Sequence, residues 1–316
     1  MAEEQEYTIA FYNLENYFDT TNDNHVLDDD FTSRGFKKWD HKRFEWKTKK
    51  LAKAISAIGE EDQQLPPVLL GIAEVENAKV IEKLLAAKNL RDINYGYVHF
   101  DSPDERGIDT GLIYHRDYFE VLRGEVVPLL VANTDGHRDL TRDILYVCGK
   151  LNGETLHIFV NHWPSRRDGE EATAYKRLAA AKAIISKVNQ LKEEEKAPHI
   201  IIMGDFNDDP DSASIKLIME TGLFINPMKK LLSPHTGSAN YRGEWSLFDQ
   251  IILSHSFINV APGTHSFQKA AIFSPKFLKE WKGRYQGNPY RTYAGKKYIG
   301  GYSDHFPVYA ILKFHP

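Results

Sequence analysis

Short apolar runs with the character of buried strands alternate along the chain with longer segments of helical period. Two of these runs, 68–73 and 200–204, are almost continuously apolar, as expected for strands that are covered on both faces. The segments 48–58 and 172–191 place apolar residues three and four positions apart, which predicts helices that cover a sheet. The alternation therefore predicts an α/β fold.

The organisation of the chain favours one domain over residues 1–316. No linker rich in Pro, Gly or Ser divides the sequence, and no internal repeat of about 20 to 50 residues is present. Two segments interrupt the regular pattern and are predicted to be inserts: 19–38, which is acidic and turn-rich, and 275–301, which is basic and aromatic. Long irregular segments in compact domains are often functional.

The second insert has the composition of a groove for nucleic acid. Residues 276–300 contain seven Lys or Arg residues and one acid, interleaved with six aromatic rings. Basic side chains among stacking rings suit phosphates and bases. A surface loop whose rings pin it to the core is an equally good interpretation.

The composition limits the chemistry and the partners. Lys and Arg number 40 against 44 Asp and Glu, a net charge of −4, so phosphate recognition has to be local rather than spread over the surface. The single cysteine, Cys148, excludes an internal disulfide and a zinc site with two or more thiolates. No membrane span, signal peptide or obligate protein partner is indicated, so the expected compartment is cytoplasmic by default, or extracellular if a signal was removed.

Polar residues follow the predicted strands, at the edge where an α/β sheet presents its ligands. Any one of them has an ordinary explanation, because Asp and Asn cap turns and a histidine is often a hydrogen-bonded core residue. Together they form an unusual set of carboxylates, carboxamides and imidazoles in chain order: Asn13, Glu74, His162, Asp205, Asn207, Asp249, Asp304 and His305.

This set predicts phosphoester hydrolysis. Hard oxygen ligands without thiolates suit Mg²⁺ or Mn²⁺, and such an ion can bridge to a phosphate oxygen. Histidines with carboxylate neighbours supply a general base and a general acid, and arginine stabilises the growing charge. The signatures of nucleotide-driven phosphotransfer, zinc proteolysis and α/β-hydrolase chemistry are absent from the sequence.

The sequence resembles the endonuclease/exonuclease/phosphatase superfamily, whose members are similar to deoxyribonuclease I. The resemblance runs from Ile9 to Leu312, and its most specific motifs are Gly-Asp-Phe-Asn at 204–207 and Ser-Asp-His-Phe-Pro-Val at 303–308. It implies a four-layered α/β sandwich, with two mixed β-sheets face to face, helices on the outer faces, and the site at one end.

The resemblance also implies roles for single residues. Asn13, Glu74 and Asp304 would bind the Mg²⁺ or Mn²⁺ ion, with Glu74 as the principal ligand. Asp205 and Asn207 would position the attacking water and the scissile phosphate.

Two histidines would share the handling of protons. His305, paired with Asp249, would contact the phosphate and act as a base. His162 would be the second histidine, and Asp109 would be the carboxylate that orients it. Two arginines would contact the substrate phosphate: Arg106 and Arg166.

The leading interpretation is a divalent-metal-dependent phosphodiester hydrolase, foremost a nuclease, in which water attacks the phosphate without a covalent intermediate. The first alternative is a phosphatase or phosphodiesterase of a small or lipid-linked phosphate, similar to inositol-phosphate phosphatases or sphingomyelinases. The second alternative is a binding module without turnover. DNA and RNA, and internal and terminal cleavage, are not distinguished by these residues.

Overall fold

The computed structural model describes residues 5–62, 65–133 and 136–316. The helices are α1 (His41–Ala57), α2 (Ala78–Leu85), α3 (Glu170–Glu194) and α4 (Ala213–Met219). The strands, in chain order, are β1 (Gln5–Tyr17), β2 (Leu69–Val75), β3 (Tyr95–His99), β4 (Asp109–His115), β5 (Phe119–Val127), β6 (Val131–Ala132), β7 (Arg138–Asp139), β8 (Ile144–Leu151), β9 (Glu154–His162), β10 (His199–Asp205), β11 (Phe224–Ile225), β12 (Ala239–Tyr241), β13 (Glu244–Ser246), β14 (Asp249–Ser254), β15 (Thr264–Ile272), β16 (Tyr293–Ala294), β17 (Lys297–Tyr298) and β18 (Val308–His315).

Twelve of these strands form two six-stranded sheets. The first sheet has the order β15-β18-β1-β2-β4-β3, and the second has the order β11-β14-β10-β9-β8-β5. Each sheet is mixed, with one parallel pair at its centre: β1 beside β2 in the first, and β9 beside β10 in the second. Because parallel neighbours end at the same edge of a sheet, each centre brings two strand ends together.

Three hydrophobic clusters hold the layers together. The two sheets face each other across a core that includes Phe11, Val160 and Met203. Helices α1 and α2 cover the outer face of the first sheet, and α3 and α4 cover that of the second. The predicted four-layered α/β sandwich with two mixed sheets is therefore confirmed.

The helix predicted over 48–58 begins earlier than its apolar period indicates. Helix α1 starts at His41, because the side chain of Asp40 accepts a hydrogen bond of 2.9 Å from the backbone N–H of Arg43 and caps the first turn. The helix predicted over 172–191 lies within α3, and it too begins before its apolar stripe.

The two irregular segments lie against each other and against α1. Lys37 of the first segment donates to the carbonyl of Gly295 in the second at 3.2 Å, and its ammonium lies 4.9 Å from the ring centre of Tyr293. On α1, Lys50 covers the ring of Tyr290 and Lys53 covers that of Phe277. Much of segment 275–301 is thus pinned to the sandwich, as one of the two interpretations of its composition proposed.

No helix in the described part of the chain is long and apolar enough to cross a membrane.

Candidate active site

The central strands of the two sheets bring four polar side chains to one end of the sandwich. Asn13 and Glu74 come from β1 and β2, and His162 and Asp205 end β9 and β10, where they lie opposite each other in the parallel register. The side-chain N–H of Asn13 donates to Oδ2 of Asp205 at 3.0 Å and to Oε1 of Glu74 at 3.4 Å. The strand ends of both sheets are therefore joined through buried polar groups.

Glu74 is aimed into this end of the sandwich by an unusual backbone conformation. Its φ is +61°, in the left-handed region that a residue with a side chain seldom adopts, and the register between β2 and β4 shifts there. Its Oε2 accepts a hydrogen bond of 2.7 Å from the backbone N–H of Asn16. This conformation keeps Oε1 free to face Asn13 and His162.

Asp205 is held on its other oxygen by the turn that follows β10. The backbone N–H of Asn207, a residue with φ of +49°, donates to Oδ1 of Asp205 at 2.9 Å. The side chain of Asn207 donates to the carbonyl of Trp163 at 2.9 Å. Asn207 thus fixes the turn, and its amide nitrogen is engaged with the backbone.

His305 lies between two carboxylates of the second sheet. Its Nδ1 is 2.6 Å from Oδ2 of Asp249, and its Nε2 is 3.9 Å from Oδ2 of Asp205. Burial acts to lower the pKa of His305, but the carboxylates of Asp249 and Asp205 outweigh it and hold that pKa well above the ordinary value. The expected pairing of His305 with Asp249 is present, and the imidazole carries a proton at neutral pH.

His162 has the opposite electrostatic environment. Its Nε2 lies 3.7 Å from Oε1 of Glu74 and 3.8 Å from Oδ2 of Asp205, whereas its buried Nδ1 has no hydrogen-bond partner among the described residues. Burial, followed by the guanidinium of Arg142, holds the pKa of His162 well below the ordinary value. His162 is therefore neutral at neutral pH, beside a protonated His305.

The predicted partner of His162 lies elsewhere. The carboxylate of Asp109 accepts a hydrogen bond of 2.9 Å from the backbone N–H of Ser102 and lies 3.0 Å from Nε2 of His99. Strands β3 and β4 are antiparallel neighbours, and this register brings His99 close to the start of β4. In this structure Asp109 pairs with His99, and its role in orienting His162 stays a prediction.

The three residues predicted to bind metal are placed differently from one another. Glu74 faces the cluster, but Asn13 turns its amide nitrogen to the carboxylates, while its oxygen accepts from the backbone N–H of Glu15 at 2.9 Å. Asp304 is one-third exposed, and its carboxylate lies 4.0 Å from the guanidinium of Arg291. The metal roles of Asn13 and Asp304 stay predictions, and the orientation of Asn13 suits a holder of carboxylates better than a ligand.

The donor set nevertheless fits a hard divalent cation. Carboxylate oxygens of Asp205 and Asp249 lie within 4.8 Å of each other, beside the imidazole of His305. Burial raises the pKa of Asp205 to about 6, against the opposing effect of His305, and Asp249 adds to the rise. Buried Oδ1 of Asp249 has no hydrogen-bond partner among the described residues. A buried excess of carboxylate is stabilised by a cation such as Mg²⁺.

The two predicted phosphate contacts, Arg106 and Arg166, differ in availability. Arg106 is exposed enough to meet a substrate, and its Nε lies 3.6 Å from Oδ1 of Asp104. Arg166 donates to the carbonyl of Asn207 at 2.7 Å and to Oδ1 of Asp208 at 2.9 Å. Arg166 therefore holds the turn after β10, and its role as a phosphate contact stays a prediction.

Sequence reasoning missed a buried arginine behind His162. Arg142 donates to Oδ2 of Asp104 at 2.9 Å and to the carbonyls of His162 and Trp163 at 3.2 and 2.8 Å. It fixes the backbone at the end of β9 and supplies positive charge close to His162. No motif marks this residue, because a single arginine in a polar stretch resembles any surface residue.

A buried ion pair, also missed, fixes the segment that precedes His305. The ammonium of Lys47 on α1 lies 3.7 Å from Oε2 of Glu15 and donates to Oγ1 of Thr292 at 2.6 Å and to the carbonyl of Tyr302 at 2.5 Å. Burial, followed by the charge of Asp304, raises the pKa of Glu15 to about 7. The basic segment is thereby tied to the end of β1.

A cleft opens beside Phe306, the residue that follows His305 in the chain. Its volume is about 480 Å³, and its wall includes Trp245, Phe306 and Lys279. The rings of Trp245 and Phe306 stack with their centres 6.0 Å apart. A cleft of this size accommodates a nucleoside or a sugar.

The comparisons with known proteins identify the family and the fold. The model of the Endonuclease/Exonuclease/phosphatase family matches residues 8–313. Among curated proteins, no relative matches the chain.

Solved structures with the same fold include a protein of the endonuclease/exonuclease/phosphatase family from Bacteroides thetaiotaomicron, at 17% identity with both chains covered by 100% and a TM-score of 0.61. A humanized D. rerio TDP2 with 14 mutations is 14% identical, with 97% of this chain and 98% of that chain covered and a TM-score of 0.60. A mannosyl-6-phosphatase from Bacteroides thetaiotaomicron VPI-5482 is 16% identical, with 97% and 99% covered and a TM-score of 0.58. At these identities the likeness establishes the fold.

Proposed function

Because the chain belongs to the Endonuclease/Exonuclease/phosphatase family, whose members hydrolyse phosphoester bonds, we propose that it is a divalent-metal-dependent phosphodiesterase that cleaves nucleic acid. The observation that carries the proposal is the cluster in which Asp205 faces a protonated His305 and a neutral His162. Two imidazoles in opposite protonation states on either side of one carboxylate can donate and accept protons in the same reaction.

The residues of the cluster divide the work as follows. Mg²⁺ or Mn²⁺, held by Glu74 with Asp205, would neutralise charge on the phosphate oxygens. Asp205, fixed by Asn207, orients the attacking water in line with the leaving oxygen. His305 is held through Nδ1 by Asp249, so its Nε2–H is available to a phosphate oxygen.

His162 completes the proton balance. It is neutral and lies beside Asp205 and Glu74, so it is able to accept the proton that the attacking water loses. The water oxygen forms a bond to phosphorus as the bond from phosphorus to the leaving oxygen breaks, and the leaving oxygen takes up the proton from Nε2 of His305. Arg106, whose side chain is partly exposed and whose charge acts on His162, would contact the developing charge.

Nucleic acid is the substrate that the surroundings of the cluster favour. Segment 276–300, which supplies Lys279 to the wall of the cleft, contains seven Lys or Arg residues and one acid, in a chain whose net charge is −4. Among the proteins of the same fold, D. rerio TDP2 has been solved in complex with single strand DNA product. A local basic surface on an acidic protein suits a polyanion that binds at one place.

The test compares polymer and small-ester hydrolysis. Plasmid DNA, single-stranded RNA and bis-p-nitrophenyl phosphate are incubated with Mg²⁺, Mn²⁺ or EDTA, with His305→Ala as the control. We expect metal-dependent cleavage of a polymer that is lost in the variant. Intact polymers together with cleaved small ester would remove the nucleic-acid part of the proposal.

The second candidate is a phosphatase or phosphodiesterase of a small phosphoester. The cleft of about 480 Å³ beside Phe306 is the observation in its favour, since it encloses a space of the size of one sugar or nucleoside. The mannosyl-6-phosphatase of the same fold shows that this architecture serves a sugar phosphate elsewhere. Release of inorganic phosphate from sugar monophosphates, with polymers left intact, would select this candidate.

A further inference from the structure

A loop at the mouth of the cleft presents two rings to solvent. The loop 279–289 is closed by the backbone N–H of Glu280, which donates to the carbonyl of Asn288 at 2.8 Å, and by a return bond from Gly287 at 2.9 Å. Beyond this closure, residues 281–286 are all exposed. Trp281 is 69% exposed and Tyr285 is 54% exposed.

The hairpin of β12 and β13, which is linked to this loop, carries a third exposed ring. The turn between β12 and β13 presents Tyr241, which is 71% exposed. The side chain of Asn288 donates to that of Asn240 at 3.0 Å, so the loop and the hairpin are linked. At its other end the hairpin reaches the cluster, because Ala239 forms a β-bridge with His305.

Each of these rings has a cation of its own. Nζ of Lys282 lies 4.1 Å from the ring centre of Trp281, and the guanidinium carbon of Arg242 lies 5.1 Å from that of Tyr241. The third pair, Arg284 with Tyr285, is 5.8 Å apart. We call these six residues the aromatic rim.

The aromatic rim does little for the fold. Other rings of segment 275–301, such as Phe277 and Tyr290, are covered by cations of α1 and pack on the sandwich. By contrast, Trp281, Tyr285 and Tyr241 leave most of their surface in water and therefore gain little stabilisation from apolar burial. Exposed rings that each lie beside a cation indicate a ligand that covers them.

We propose that the aromatic rim binds single-stranded nucleic acid, with bases stacked on its three rings and the backbone led past Lys279 into the cleft beside Phe306. The inference rests on the proposed function and names its substrate class. Lys279 fits this path, because its ammonium lies 5.9 Å from the ring of Phe306 in the wall of the cleft.

The chemistry favours an unpaired strand over a duplex. A ring stacks on the face of a base only where the base is free of its neighbours, as in a single strand. Stacking does not depend on the base sequence of the strand, and cations between the rings neutralise the phosphates that link successive bases. The segment from Trp281 to Tyr285 has this pattern, because Lys282 and Arg284 lie between the two rings.

The two cations between these rings also argue against insertion into a membrane. An inserted tip places rings or aliphatic side chains below the headgroups, and Lys282 and Arg284 would be carried down with Trp281 and Tyr285. Interaction with a lipid surface is therefore treated as an outcome of the test.

The test removes the three rings and keeps the cations. The variant Tyr241→Ala/Trp281→Ala/Tyr285→Ala is compared with Tyr175→Ala, which removes an exposed ring from α3 on the other side of the sandwich. Affinity for a fluorescent single-stranded 12-mer is measured by anisotropy in EDTA, which prevents metal-dependent cleavage. We expect the triple variant to bind at least tenfold more weakly and Tyr175→Ala to bind as the wild type does.

A second variant, which keeps an aromatic ring at all three positions, controls for misfolding. Tyr241→Phe/Trp281→Phe/Tyr285→Phe retains stacking faces, so we expect it to recover most of the affinity lost in the alanine variant. Equal affinity of the wild type and the alanine variant for the 12-mer would overturn the inference. Loss of binding to vesicles with 30% phosphatidylserine, with 12-mer affinity unchanged, would also overturn it in favour of a lipid surface.

Catalysis separates this inference from the proposed function. With Mg²⁺, we expect the alanine variant to lose kcat/KM on the 12-mer at least tenfold while its kcat/KM on bis-p-nitrophenyl phosphate changes less than twofold. If the wild type hydrolyses neither compound, the proposed function fails, whereas the anisotropy measurement still decides whether the rim binds a single strand.

Discussion

The two ends of the sandwich carry clusters built from the same residue types with opposite electrostatics. Strands β9 and β10 end at His162 and Asp205 in the candidate site, and they begin near Glu154 and His199 at the far end. There, Nδ1 of His199 lies 2.6 Å from Oε1 of Glu154, and both Nδ1 and the backbone N–H of His265 on β15 contact Oε2. Each cluster therefore joins the two sheets through buried imidazoles and carboxylates.

The difference lies in the balance of charge. At the far end one carboxylate meets two imidazoles; burial acts to raise the pKa of Glu154, but hydrogen bonds from His199 and His265 outweigh it and lower that pKa. At the site, carboxylates outnumber their partners, and burial raises the pKa of Asp205 to about 6. The far cluster gives its one carboxylate two imidazole partners, whereas the site contains an excess of carboxylate that a metal ion would neutralise.

The largest expected effect is on turnover at the candidate site, where carboxylates outnumber their partners. Asp205→Asn keeps the shape of the side chain and removes the charge that faces both imidazoles, so we expect kcat to fall about a thousandfold, equivalent to about 4 kcal/mol in the barrier. Initial rates on bis-p-nitrophenyl phosphate with Mg²⁺ measure the loss.

Stability distinguishes this loss from a failure to fold. Because a buried ionised carboxylate beside Asp249 is costly, the unfolding midpoint of Asp205→Asn in urea at pH 8 should equal or exceed that of the wild type. A fall in kcat of only a few-fold would contradict the role of Asp205.

The far cluster around Glu154 should respond in the opposite way, with a change in stability and none in turnover. Glu154→Gln removes the charge that two histidines share, and breaking a buried pair lowers the free energy of unfolding by about 3 kcal/mol. The variant should keep the kcat of the wild type, because Glu154 lies at the start of β9 and the site lies at its end. A loss of kcat at temperatures where the variant is folded would break the comparison.

The same variant gives a pH dependence with a definite sign. Since the folded pKa of Glu154 is lowered from 4.5, its stabilisation is present above the unfolded pKa and is lost as the pH falls through the folded pKa. The difference in unfolding free energy between wild type and Glu154→Gln should thus be largest near pH 7 and shrink below about pH 4. Urea unfolding at several pH values measures it, and a difference that grows in acid would be inconsistent with this account.

A metal ion should stabilise one end and leave the other unaffected. At saturating Mg²⁺ we expect the free energy of unfolding of the wild type and of Glu154→Gln to rise equally, by about 1 to 3 kcal/mol. Asp205→Asn should gain less, because it has lost charge from the cluster that fits the cation. Equal gains in all three proteins would place the ion elsewhere.

Much of the fold followed from sequence patterns that have a direct physical cause. Continuous apolar runs predicted strands covered on both faces, and 3.6-residue periods predicted covering helices. The convergence of Asp205, Asp249 and His305 followed from strand ends meeting at one edge, together with the family resemblance. That the chain forms one domain stays a prediction.

Other features depend on three-dimensional contacts that no local pattern encodes. The pairing of Asp109 with His99 depends on the register of β3 on β4, and the amide orientation of Asn13 depends on the turn after β1. Buried Arg142 and Lys47 have no signal in the sequence, because a charged residue is expected at the surface. The composition of 275–301 allowed two interpretations, and the structure divides its rings between a pinned group and an exposed rim.

The smallest effect is expected at Asp109. This residue tests whether the contribution of a carboxylate to turnover depends on its distance from the candidate site or on whether its charge has hydrogen-bond partners. The pair His99–Asp109 begins at the site end of β4, yet it resembles the far cluster, since its carboxylate is satisfied by an imidazole and a backbone N–H. Asp109→Asn should therefore reduce kcat only two- to fivefold, about 1 kcal/mol, with His99→Gln as the matched variant of its partner. A hundredfold loss of kcat in Asp109→Asn that His99→Gln does not share would show that Asp109 acts on His162 during the reaction. In that case, the distance of a carboxylate from the candidate site would matter more for turnover than whether its charge has hydrogen-bond partners.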